Sequence, residues 1–92
     1  MDVYAQIAEK IIEHQETIIG PVAVQQAQQI KGITIDWPNH VVSIEGDEKV
    51  AIESLIEAYR VLFGQIAVEV SKDAVAYLSS SLKPEELPDL LK

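Results

Sequence analysis

Cysteine is absent from the 92 residues. Its absence excludes disulfide staples and thiolate metal sites, and it suits a reducing compartment. Positive charge is scarce: 7 Lys and Arg stand against 15 Asp and Glu, for a formal net charge of -8. The seven cations, Lys10, Lys31, Lys49, Arg60, Lys72, Lys83 and Lys92, occur singly. Phosphate backbones and anionic bilayers attract clustered Lys and Arg, so neither nucleic acid nor a membrane surface is an expected partner. No apolar run approaches the roughly 20 residues needed to cross a bilayer. The opening Met1-Asp2-Val3-Tyr4-Ala5-Gln6 has no basic stretch before an apolar core, unlike a secretory signal. The expected location is the cytoplasm. The chain also lacks HExxH, CxxC and a phosphate-binding glycine loop. No Ser-His-acid or Cys-His constellation emerges, so no catalytic residue and no cofactor is expected.

What is present is apolar and periodic. Ile, Val, Leu and Phe supply 30 of the 92 residues, well above a disordered composition, so one small domain with its own core is expected. The fold class reads as α+β. Over 3–19, Val3, Ile7, Ile11 and Ile18 form a helical stripe that Tyr4, Ala8 and Ile12 widen, with Asp2 placed to cap it. Gly20-Pro21 interrupts the pattern, so the helical region 2–30 is expected to bend or break there. Residues 33–36 and 41–45 alternate as two short strands around Trp37-Pro38-Asn39-His40, a hairpin with its turn at 37–40. Val42 and Ile44 share one face, and Val41, Ser43 and Glu45 the other. Asp47 is a good cap for a long apolar stripe over 47–79, which only Gly64 interrupts. As a single helix, that region would run about 50 Å, too long for a compact chain with a radius of gyration near 12 Å. Either it bends at Gly64 or a second chain covers the overhang. A short tail rich in Pro and Leu follows.

Residues 9–28 and 53–72 echo each other without a gap. Six pairs are identical: Glu9/Glu53, Ile12/Ile56, Glu13/Glu57, Gly20/Gly64, Ala23/Ala67 and Val24/Val68. Two amphipathic helices match in part through patterning alone. The shared Gly-x-(Val/Ile)-Ala-Val is the portion that patterning does not require. Under a true internal repeat, Gly20, Pro21 and Gly64 mark equivalent hinges or close helix crossings.

The candidate site residues are few. Glu9, Glu13 and Glu16 lie on the first helix with His14, but helical metal sites use Glu followed three positions later by His, and position 11 is Ile. No metal site is expected from that spacing. His40, with Asp36 or Asp47, is a candidate proton-exchanging group in the hairpin loop. Trp37, the sole tryptophan, is a candidate anchor for a ligand or interface. Tyr59, Phe63, Ile66, Val70 and Tyr77 complete the interface or ligand candidates along the second stripe. The favoured function is a non-enzymatic protein–protein interaction or oligomerisation domain, with a homodimer as the default assembly. The alternative is a small enzyme or ligand-binding domain with a pocket near Trp37 and His40.

Overall fold

The described residues form six helices and strands: α1 (Val3–Ile19), α2 (Val22–Gln28), β1 (Ile33–Asp36), β2 (Val41–Ile44), α3 (Glu48–Phe63) and α4 (Gln65–Ser79). Short 3-10 turns occupy Trp37–Asn39, Pro84–Glu86 and Asp89–Leu91. The computed structural model describes residues 2–80 and 82–91, with the side chains of Tyr77 and Ser79 outside that description. The α+β order expected from the sequence is the one observed.

Both long helices start on an aspartate. Asp2 accepts from the Ala5 amide, and Asp47 accepts from the amides of Lys49 and Val50, which satisfies donors that a helix start leaves open. Each helix then buries one stripe. Ile7, Ile11 and Ile12 of α1 meet Ile52, Leu55, Ile56 and Tyr59 of α3 in one core, which Ala67, Val68, Ala74 and Val75 of α4 complete. Leu91 is buried in the same core, so the last 3-10 turn packs inward. Ile33 pairs with Ile44 and Ile35 with Val42 in the antiparallel hairpin. Val42 is buried, whereas Val41 and Ser43 face out. A lone hairpin is marginal in water, and this one is held because β2 lies against α1.

Region 47–79 is two helices, with Gly64 as the break between them. The molecule measures only 32 × 26 × 21 Å, which leaves no room for a continuous helix of that length. Neither Gly20 nor Gly64 is a close helix crossing, because a Cβ built at either position would meet nothing within 4 Å. Their requirement is conformational. Gly20 has φ 74° and Gly64 φ 81°, where L side chains are strained. The two turns also share their bonding. Each glycine amide donates to a carbonyl four residues back, Glu16 or Arg60, at 2.8 Å, and each glycine carbonyl accepts from the amide of Ala23 or Ala67 at 3.0 Å.

Buried polar bonds then tie each helix pair to the other. The Gln15 amide nitrogen donates to the Ala67 carbonyl at 2.9 Å, and the Tyr59 hydroxyl donates to the Ala23 carbonyl at 2.6 Å. Gln15 and Tyr59 occupy matching places in the 9–28 and 53–72 segments, as do Ala23 and Ala67. The bonds are therefore reciprocal. Since φ is the only barrier at either turn, Gly20→Ala and Gly64→Ala are each expected to cost about 1–2 kcal/mol. Urea denaturation followed by circular dichroism checks this, and unequal costs would show that the two turns carry different loads.

Candidate functional site

The hairpin tip folds onto the polar flank of α1. Asp36 ends β1, the 3-10 turn Trp37–Asn39 reverses the chain, and His40 closes the turn by donating its amide to the Trp37 carbonyl at 2.9 Å. His40 does so in the left-handed region, at φ 53°, and it is the one described non-glycine residue with positive φ. That conformation is uncommon for a non-glycine residue, although histidine adopts it more readily than most, and it costs about 1 kcal/mol. Strained residues of this kind cluster at functional sites. Its effect here is to aim the imidazole at α1.

Glu9 and Glu13 receive it. They stand four residues apart, hence on one face of α1. His40 Nδ1 lies 3.4 Å from Glu9 Oε1 and 3.3 Å from Glu13 Oε2. One donor atom from each of the three residues fits within a mutual separation of 4.8 Å. Glu9 is buried at 7% exposure, Glu13 is half-buried, and the His40 side chain is 42% exposed. Trp37 stacks on the other side of the imidazole, with ring centroids 4.1 Å apart and an interplanar angle of 18°. Its indole nitrogen donates to Glu16 Oε2 at 3.0 Å. The third carboxylate of the flank thus fixes the ring that backs the histidine.

A cation already attends the pair. Lys10 Nζ lies 3.7 Å from Glu9 and 3.6 Å from Glu13. Burial works against charge on Glu13, but the Lys10 ammonium and the hydrogen bonds with Glu9 and His40 outweigh it, holding the carboxyl below its ordinary range. The site therefore keeps negative charge on its most accessible carboxylate.

Sequence spacing tests these glutamates only against His14 and gives no metal site, whereas the structure brings His40 to them. His14 is exposed, with its Nδ1 near the Lys10 carbonyl. Nor does His40 face the acids next to it in sequence: Asp36 accepts from the Asn39 amide, and Asp47 caps α3. Trp37 is half-buried, between the core and His40. Tyr59 is a core residue rather than an interface residue, because it is fully buried and its hydroxyl is bonded to Ala23; burial and the Glu16 charge push its phenol up. Phe63 and Ile66 are exposed, Val70 is half-buried, and the side chain of Tyr77 lies outside the described residues. Glu9, Glu13 and Glu16 are the site residues that spacing did not assign. The one signal for them is the i, i+4 carboxylate pair Glu9/Glu13 on a helix that otherwise buries an apolar stripe.

Comparison with known protein families, curated proteins and solved structures finds no match. Among the described residues, no helix is long and apolar enough to cross a membrane.

The lowered pKa of Glu13 gives a pH dependence with a definite sign. A carboxylate that is more acidic folded than unfolded stabilises the fold above its unfolded pKa, and the contribution disappears as pH falls through the folded value. Stability is thus expected to drop in the acid range below the usual carboxylate pKa, and Glu13→Gln is expected to flatten that part of the profile. Urea midpoints measured from neutral to acid pH check it. An unchanged slope in Glu13→Gln would place the acid sensitivity elsewhere.

Proposed function

We propose that the protein is a small ligand-binding domain whose ligand is a divalent transition-metal ion of the zinc class, held by Glu9, Glu13 and His40. The supporting observation is a pair of distances. Ligands about 2.1 Å from a tetrahedral ion stand about 3.4 Å from one another. His40 Nδ1 stands 3.4 and 3.3 Å from the two carboxylates. Those separations match a tetrahedral edge and are long for charge-assisted hydrogen bonds, which close to about 2.7–2.9 Å.

The donor chemistry narrows the ion. One imidazole with two carboxylates suits zinc and its neighbours better than calcium, which takes six to eight oxygens, or magnesium, which favours oxygen and water. Three protein ligands leave one tetrahedral position on the exposed side of His40, where water or a small anion completes the shell. Lys10 competes with the ion for the same carboxylate charge. Binding requires unprotonated imidazole, so affinity falls as pH falls.

The interaction-domain reading shares His40 as a candidate but rests chiefly on the apolar stripe of α3 and α4, and it uses neither Glu9 nor Glu13.

Isothermal titration of the chain with Zn²⁺, Mn²⁺ and Mg²⁺ tests the proposal, with Trp37 fluorescence as a second readout. One Zn²⁺ per chain is expected, with a change in Trp37 emission because the ion engages the ring stacked on it. His40→Asn is the sharper variant, since Asn tolerates the left-handed conformation and keeps the turn while removing the imidazole. His40→Asn and Glu9→Gln are each expected to weaken Zn²⁺ at least about tenfold. His14→Asn is expected to change nothing. Equal Zn²⁺ affinity in wild type and His40→Asn would overturn the assignment.

A further inference from the structure

The end of the molecule away from the two aspartate caps is apolar. The Gln15–Ala67 bond sets the end of α1 beside the start of α4, and the Tyr59–Ala23 bond sets the end of α3 beside the start of α2. Both glycine turns therefore share one end. Six large apolar side chains stand exposed around them: Ile18 and Val22 flank Gly20, and Val61, Leu62, Phe63 and Ile66 flank Gly64. Val61 is 70% exposed, Ile66 69% and Ile18 62%. Elsewhere among the described residues, only Val41 and Val50 are comparably exposed large apolar residues.

We infer that this end is a homodimer interface, closed by the same end of a second copy. Area is the first argument. The fractional exposures of the six side chains amount to on the order of 600 Å² of apolar surface, at the upper limit for a typical monomer's largest patch. Two copies that covered these six residues completely would bury at most about 1,200 Å², the lower end of specific, stable interfaces. Shape is the second. Each copy offers two turns of the same conformation side by side, Ile18-x-Gly20-x-Val22 and Leu62-x-Gly64-x-Ile66. A twofold contact needs a surface that complements itself, and a paired motif meets that need. Charge is the third. The apolar residues are neutral, and the nearby ions are Arg60 paired to Glu57, with Glu16 and Glu69. An anionic bilayer would be repelled by a chain of net charge -8, whereas an apolar contact between copies leaves those charges in solvent, screened beyond about 8–10 Å.

The interface lies apart from Glu9, Glu13 and His40, so the test is run with EDTA present and does not depend on metal. Sedimentation equilibrium from about 1 to 100 µM covers the affinities expected of an interface this size. Wild type is expected at twice the 10.2 kDa chain mass in the upper part of that range. Ile66→Glu and Val61→Glu are expected to remain at chain mass throughout, with wild-type circular dichroism, since both side chains point into solvent. Val50→Glu, at an exposed apolar site on the N-terminal half of α3, is expected to dimerise as wild type does. Three results would overturn the inference: a wild-type monomer across the range, a dimer that persists in the Ile66→Glu, Val61→Glu double variant, or a monomer that co-sediments with phosphatidylserine vesicles through this end. If either single variant is unfolded, Ile18→Glu decides in its place: chain mass across the range supports the contact, and a dimer that persists overturns it.

Discussion

Helix α1 is enclosed. It meets α4, α2, α3 and β2, so its apolar stripe is taken out of water together with two polar residues beside it, Glu9 and Gln15. Burying a polar group without a partner costs on the order of 1–3 kcal/mol, and more for a charge. Every polar group buried on α1 must therefore be met from another part of the chain. Gln15 is met by the Ala67 carbonyl and the Ser71 hydroxyl, which fixes α4. Glu9 is met by Lys10 and by His40 from the hairpin tip. The fold is arranged around these debts: α4 settles one and the hairpin the other.

The metal reading follows from the same constraint. A structural latch between α1 and the hairpin needs one histidine and one carboxylate. Here two carboxylates converge on one imidazole nitrogen, a third carboxylate holds the tryptophan behind the ring, and the histidine sits in a strained conformation. Two carboxylates around one nitrogen exceed what a latch requires, and with the Lys10 ammonium beside both they carry one net negative charge that a bound cation would offset. The apolar end lies on the far side of the Gln15–Ala67 and Tyr59–Ala23 bonds from the helix caps. It answers a different physical problem, that of a small domain with more apolar surface than its own core can cover.

Much of the fold was legible because short-range rules governed it. Asp2 and Asp47 marked both helix starts through capping chemistry, and alternation in Ile33–Asp36 and Val41–Ile44 marked the strands and their faces. Gly64 was ambiguous in sequence, because a lone glycine can sit inside a helix at a modest cost. Its positive φ, which no spacing rule reveals, makes it a break. The site was less legible. Glu9 and Glu13 were visible as an i, i+4 pair, but spacing could only test them against His14 on the same helix. His40 reaches them from 27 and 31 residues away, and that depends on where the hairpin lands. Tyr59 illustrates the same limit: an aromatic on an apolar stripe reads alike whether it faces a partner chain or, as here, the carbonyl of Ala23.

In the proposed site His40, and not His14, is the imidazole that meets a metal ion on α1. Long-range ¹H–¹⁵N correlation spectra of the two histidine rings during a Zn²⁺ titration test it most directly, because ring nitrogens report ligation atom by atom. The His40 Nδ1 resonance is expected to shift to saturation at one equivalent of Zn²⁺ while the His14 ring stays unchanged. A His40 ring that is unmoved by Zn²⁺, or that moves no more than His14, would contradict it.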